Sequence, residues 1–129
     1  MTGSSKHRRT PHHTIEILQS PHLELPSFLL TPENVFHKMG NLFGHNDIDF
    51  DSHPIFSRRY LLRGTDEGAI RDCFQDGVLT FYERQERVCS QGIGSFLLFY
   101  RPERPMNPAQ WKQLMNTALE AHEQFVQRY

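Results

Sequence analysis

The segment from His45 to His53 concentrates side chains that can carry chemistry. It reads HNDIDFDSH, so a histidine or an aspartate stands at every second position: His45, Asp47, Asp49, Asp51 and His53. In an extended chain these side chains project to one side. Imidazole combined with carboxylate suits zinc, manganese or nickel better than calcium. The segment is therefore a candidate site for a divalent metal.

The same spacing also has a purely structural interpretation. Ile48 and Phe50 alternate with the polar residues, which predicts that they face the core while the polar side chains are solvated or cap nearby backbone. Ligands at positions i and i+4 of a straight strand lie about 13 Å apart, so a metal would require a bent segment. A calcium loop is excluded, because Ser52 and Arg58 stand where such a loop needs glycine and glutamate. The structural interpretation is the favoured one.

A second candidate is a basic face formed by Arg58, Arg59 and Arg63, interleaved with Phe56 and Tyr60. Arginine offers a planar fork to carboxylates and phosphates, and arginine with aromatic rings can hold single-stranded nucleic acid. The net charge of -1, from 14 basic and 15 acidic side chains, argues against a large nucleic-acid surface. These arginines are therefore candidates for binding an anionic partner, while nucleic acid is disfavoured.

The familiar catalytic motifs are missing from the sequence. Gly92-Ile93-Gly94-Ser95 matches neither phosphate-loop pattern and leads into a predicted strand rather than a helix. No GxSxG elbow occurs, and Cys73 and Cys89 lack the spacing of a zinc or redox pair. We therefore expect a protein that is not an enzyme, with reduced cysteines and no cofactor apart from the alternative divalent metal.

Length and composition predict a single domain. The chain has 129 residues, of which 37% are hydrophobic and 12% aromatic, enough for one core. Its mean hydropathy is -0.60, and the longest apolar run, 96–100, is far shorter than the roughly 20 residues that span a bilayer. No apolar stretch follows the basic start of the chain, so we expect no secretory signal and a cytoplasmic location.

Residue patterns predict the elements that position these candidates. Residues 1–13 are polar and basic, which predicts a flexible tail before one domain over 14–129. Alternation and turn residues predict strands near 14–19, 23–30, 55–63, 88–91 and 95–100. Caps and apolar stripes predict helices near 31–44, 65–74, 78–87 and 107–126. The order indicates an α+β domain: a mainly antiparallel sheet of about four to five strands, helices on one face and a long C-terminal helix.

Several short motifs carry a resemblance to a known group of proteins. They are Leu25-Pro26-x-Phe28 with Pro32-Glu33, Asp47-Ile48-Asp49-Phe50, Pro54-x-Phe56-Ser57 leading to Tyr60 and Arg63-Gly64, then Asp66-Glu67, the Gly92 to Tyr100 segment and the C-terminal helix. Over residues 14–127 the chain resembles the soluble domain of uncharacterised bacterial membrane-associated proteins. The resemblance implies transmembrane helices and further soluble chain upstream in those proteins, and it implies no activity, cofactor or catalytic residue.

The resemblance implies a location at the membrane for longer relatives. If an upstream part of the domain is missing here, the strand over 14–19 would be an exposed edge that pairs with another chain. Taken together, these observations predict a non-enzymatic interaction or regulatory domain whose partner is another protein or a second copy of itself. The divalent-metal domain and the arginine-rich anion binder are the alternatives.

Overall fold

The protein is described by a computed structural model over residues 4–9, 14–33, 47–102 and 107–126, the first of these ranges in its backbone only. Its α+β fold, with a long C-terminal helix, confirms the predicted class. The strands are β1 (Ser4–Arg9), β2 (Thr14–Gln19), β3 (Leu25–Pro32), β4 (Tyr60–Gly64), β5 (Cys89–Gly94) and β6 (Phe96–Tyr100). The helices are α1 (Pro54–Arg59), α2 (Glu67–Cys73), α3 (Asp76–Glu83) and α4 (Pro108–Val126).

The strands form one antiparallel sheet in the order β1-β2-β6-β5-β3-β4. Its six strands exceed the predicted four to five, because Ser4–Arg9 pairs with β2 where the sequence predicted a flexible tail. Backbone hydrogen bonds supplied by β2 order this polar segment, which has no apolar pattern of its own. Strand β2 therefore lies between β1 and β6 and is an interior strand of the sheet.

Alternate residues of the strands face the helices and build the core. Leu18, Phe28, Leu62 and Phe99 belong to one cluster with the buried residues of all four helices described. Phe74, directly after α2, lies at its centre and contacts five aromatic rings: Phe28, Phe50, Phe56, Tyr82 and Phe125. The core thus joins both halves of the chain through aromatic packing.

Helix α4 begins and packs as its sequence predicts. The Asn107 side chain accepts a hydrogen bond from the Gln110 N–H at 2.9 Å, and the Gln110 side chain accepts one from the Asn107 N–H at 3.0 Å. This reciprocal pair is a capping box. The buried stripe that follows places Leu114, Ala118 and Phe125 over β2 and β6. Within the residues described, no helix is both long and apolar enough to cross a membrane.

Two local predictions are wrong. Thr31 and Pro32 end β3 opposite Leu61 and Tyr60 of β4, although their types predicted a helix start. Ladder pairing with β4 outweighs the local capping signal, and the rest of the predicted 31–44 helix lies outside the described residues. Residues 54–59 form α1 where a strand was predicted, because Pro54 suits the first helical turn and one turn suffices to bury Phe56 completely.

Candidate functional site

The end of the His45–His53 segment runs along the outer edge of β4. The Ile48 N–H donates a hydrogen bond to the Leu62 carbonyl at 2.8 Å, and the Asp47 side chain accepts one from the Leu62 N–H at 2.9 Å. Both backbone groups of Leu62 on this edge are therefore satisfied. A strand edge covered in this way is closed to pairing with another chain at that point.

The apolar residues of the segment enter the core as predicted. Ile48 and Phe50 are 3% and 8% exposed. The Phe50 N–H donates to the Ser57 hydroxyl at 2.8 Å, and the His53 N–H donates to the Phe50 carbonyl at 3.0 Å. These bonds close a turn that leads directly into α1. The burial of Ile48 and Phe50 and these backbone hydrogen bonds therefore account for the local structure of residues 47–53.

The polar side chains of this segment separate into different environments. Asp47 and Asp49 are hydrogen bonded to each other, and Asp51 is exposed. The His53 ring lies 2.8 Å from the Ser52 hydroxyl through Nδ1 and 3.5 Å from the Thr80 hydroxyl through Nε2. The parts of the chain that the structure describes hold no group of three potential metal ligands. His45 is outside them, so the five-ligand metal site stays a prediction.

Asp47 is the titratable group of the segment with a shifted pKa. The pKa of its carboxyl is raised from 3.8 to about 6, mainly by burial. The hydrogen bond and negative charge of Asp49 also raise the pKa, while the Leu62 N–H and Arg63 lower it. The folded protein therefore favours the neutral acid. The stability that Asp47 contributes is complete below its ordinary pKa and is lost as the pH rises through about 6.

We predict that Asp47→Asn raises the melting temperature near neutral pH. Asparagine keeps an oxygen for the Leu62 N–H but removes the half-buried negative charge beside Asp49. The gain should shrink as the pH falls toward 3.8, where the carboxyl of Asp47 is itself neutral. Thermal unfolding across this pH range measures the effect, with Asp51→Asn as an exposed control. A lower melting temperature for Asp47→Asn near neutral pH would mean that attraction to Arg63 outweighs burial.

A serine and a histidine that are distant in sequence meet under α4. The Ser20 hydroxyl lies 2.8 Å from His122 Nε2, and Glu123 lies 4.0 Å from His122 Nδ1. Burial lowers the pKa of His122 and so favours its neutral ring. A neutral ring has one nitrogen that can accept a hydrogen bond from the Ser20 hydroxyl. Ser20, however, is 0% exposed, and its hydroxyl also accepts the His22 N–H at 3.2 Å. The pair therefore ties α4 to the end of β2 and gives no access to a substrate.

The predicted arginines divide between two places. Arg58 and Arg59 end α1, whereas Arg63 lies on β4, half-buried and close to Asp47. A strand rises about 3.3 Å per residue, so Arg63 is some three residues, or roughly 10 Å, beyond Tyr60 at the start of β4. The structure thus keeps Arg58 and Arg59 together and assigns Arg63 to the neighbourhood of Asp47.

The turn after α3 is held by two arginines from other elements. Arg59 donates through Nη1 to the Glu83 carbonyl at 2.7 Å and through Nη2 to the Gln85 carbonyl at 3.0 Å. Arg101 donates through Nη1 to the Glu86 carbonyl at 2.6 Å. Carbonyls at a helix C-terminus lack partners within the helix, and cationic donors satisfy them. This turn leads to Arg87, which the sequence analysis did not select.

Arg87 lies with Arg58 and Arg59 around one small cavity. The cavity has a volume of about 240 Å³, and Pro32, Glu33 and Tyr60 complete its lining. Arg87 is separated from Arg58 by two helices and a strand in the sequence, so no local pattern could have indicated that they meet. The cavity combines three guanidinium groups with one carboxylate.

A larger cavity of about 690 Å³ lies where the loop before β3, the start of α2 and the β5–β6 turn meet. Its charged lining is acidic: Glu24, Asp66 and Asp72. Asp66 is the N-cap of α2 and accepts a hydrogen bond from the Ala69 N–H at 3.0 Å. At least this carboxylate therefore has a structural role.

The face of the sheet away from the core cluster has an exposed apolar part, here named the apolar strip. It consists of five side chains on three adjacent strands: Ile15 and Ile17 of β2, Ile93 of β5, and Phe96 and Leu98 of β6. Ile17 pairs with Leu98, and Ile93 pairs with Phe96 across the turn at Gly94, whose φ is +58°. Ile93 and Phe96 are 54% and 40% exposed, and the others are half-buried. The strip is the candidate site that the sequence analysis did not define.

Comparisons with family models, with curated proteins and with solved structures gave no match.

Proposed function

We propose that this chain is a non-enzymatic interaction domain that associates with a second copy of itself through the apolar strip. The observation that carries the proposal is the exposure of Ile93 and Phe96, an adjacent cross-strand pair, at the end of a continuous apolar row. Neighbouring strands lie about 4.8 Å apart, so the side chains of the strip form one patch. Contiguous exposed apolar surface of this kind marks interaction sites.

The chemistry of the strip favours a second copy over a charged partner. Its five members are all apolar, so two strips can bring apolar side chains into contact with each other. Two sheet faces pack about 10 Å apart with their side chains interdigitated, as in a β-sandwich. A two-fold axis through such a contact uses the same patch on both copies and closes the assembly as a dimer.

The β4 edge of the sheet favours association through the sheet face over association by strand addition. Asp47 and Ile48 satisfy the outer backbone groups of Leu62, so strand addition at that point is blocked. The divalent-metal function has less support, because two of its proposed ligands already have other partners. Asp47 accepts a hydrogen bond from the Leu62 N–H, and the ring nitrogens of His53 lie near the Ser52 and Thr80 hydroxyls.

Phe96→Glu should disrupt the dimer. Sedimentation equilibrium of the wild-type chain should give twice its mass of 15.2 kDa as concentration rises. A charge introduced into an apolar contact should weaken association at least about tenfold, since aromatic residues contribute much of the binding energy of such interfaces. Ile55→Glu is the matched control, because Ile55 is 47% exposed but lies on α1, outside the strip.

Two outcomes would contradict the proposal. The first is a wild-type chain of 15.2 kDa at every concentration. The second is equal weakening by Ile55→Glu and Phe96→Glu, which would place the contact elsewhere or make it nonspecific. Circular dichroism of both variants should show the wild-type fold, because both positions are exposed.

A further inference from the structure

We propose that the cavity bounded by Arg58, Arg59 and Arg87, here named the arginine cavity, binds a small phosphate-bearing anion. Guanidinium groups present several donors in a fixed plane and match the oxygens of phosphate. The arginine cavity gathers three of them from the end of α1 and from the turn before β5. This inference does not depend on the apolar strip.

The guanidinium of Arg59, which lines the arginine cavity, is held in place by hydrogen bonds. Arg59 is held by the Glu83 and Gln85 carbonyls at 2.7 and 3.0 Å. These two bonds use two of the five N–H donors of the guanidinium, so donors remain for an anion. The same bonds fix the turn that carries Arg87 toward Arg59. A preorganised donor set loses little freedom on binding.

The charge balance and size of the arginine cavity define the class of ligand. Three arginines and one glutamate, Glu33, line the cavity, so the formal charge of the lining residues is positive. A volume of about 240 Å³ is below the 300–1,000 Å³ typical of pockets for larger organic ligands. The geometry therefore suits a single phosphate group on a small molecule. A long polyanion would need a continuous basic surface, which the overall charge of -1 does not favour.

The test is a titration with inorganic phosphate, followed by amide and arginine side-chain NMR at constant ionic strength. Saturable shifts are expected at Arg59, Tyr60 and Arg87. Arg58→Gln should weaken phosphate binding about tenfold, since charge-assisted hydrogen bonds are the strong ones. Glu33→Gln should strengthen it, because it removes the opposing carboxylate. Lys112→Gln, which removes an exposed positive charge from α4, should leave it within about twofold of the wild type.

Three results would overturn the inference. One is the lack of saturable shifts around the arginine cavity. Another is equal weakening by Lys112→Gln and Arg58→Gln, which would indicate a general charge effect. The third is an identical response when sodium chloride replaces phosphate at matched ionic strength. Because Arg58, Glu33 and Lys112 are exposed, these variants should all fold, and the comparison remains informative.

Discussion

Phe74→Ala is expected to lower the free energy of unfolding by about 3–5 kcal/mol, the usual cost of removing a buried phenylalanine. Phe74 is 2% exposed, and its ring centroid lies 5.0 Å from that of Phe28, 5.4 Å from Phe125 and 6.0 Å from Tyr82. These partners belong to β3, α4 and α3, so the cavity left by the ring would open between three elements. Single domains are stable by about 5–15 kcal/mol in total, so the loss is a large share of the stability.

Urea unfolding followed by tryptophan fluorescence measures the effect of Phe74→Ala. Ile55→Ala is the control, since Ile55 is 47% exposed and a surface truncation should change stability by about 0.5 kcal/mol or less. Phe74→Leu should recover a part of the loss, because leucine refills some of the volume. A cost below about 1 kcal/mol for Phe74→Ala would show that the aromatic cluster does not organise the core.

Gly64→Ala should destabilise the protein by about 1–3 kcal/mol, the usual cost of forcing extra volume into a packed region. A Cβ atom at Gly64 would lie 2.6 Å from the Ser27 carbonyl oxygen and would also meet the Cδ1 atom of Ile70. The Ile70 side chain could rotate away, but the Ser27 oxygen belongs to the backbone of β3, and the next residue, Phe28, pairs with Gly64 itself. Relief of the contact would therefore separate these two strands.

Gly68→Ala is the control, because its expected change in stability is in the opposite direction. A Cβ atom at Gly68 would meet only the Asp66 side chain, at 3.7 Å, and the position lies in the first turn of α2. Alanine in a helix gains up to about 1 kcal/mol over glycine, so this variant should be as stable as the wild type or more stable. Thermal unfolding of both variants distinguishes a steric cause at Gly64 from a general intolerance of alanine. Equal stability of Gly64→Ala and the wild type would contradict the steric account.

The predictable parts of this fold are those with a local cause. Helix α4 was predicted because Asn107 and Gln110 form its cap within one turn and an apolar stripe follows. The burial of Ile48 and Phe50 followed from their alternation with polar residues. In both cases the signal and the structure lie within a few residues of each other.

The mispredicted parts depend on strand pairing and core packing rather than on the local residue pattern. Thr31 and Pro32 continue a strand because Leu61 and Tyr60 pair with them, and β1 exists through its pairing with β2. Thr31 and Leu61 are 30 residues apart, so the local preference for a helix start decided the first prediction. Strand β1 is next to β2 in the sequence, but its polar residues carry no apolar alternation that would predict a strand. Residues 54–59 form a helix for a related reason, since Phe56 reaches the core from a single turn.

The candidate sites also contain residues that are adjacent in sequence and residues that only the fold brings together. Arg58 and Arg59 were selected because they are adjacent, but Arg87 joins them only through the turn that Arg59 and Arg101 hold. The Ser20–His122 contact spans 102 residues, and neither residue has a local motif. The apolar strip was not predicted because its members come from three strands whose order follows only from the completed sheet.

Association of two copies through the apolar strip can be tested directly in solution. The most direct measurement is a concentration series of amide and methyl NMR spectra of the wild-type chain. Self-association through the strip should produce concentration-dependent shifts at Ile17, Phe96 and Leu98, while the signals of exposed helical positions such as Ile55 and Lys112 stay fixed. Shifts confined to the helices, or unchanged spectra from a chain that sediments at 15.2 kDa, would contradict it.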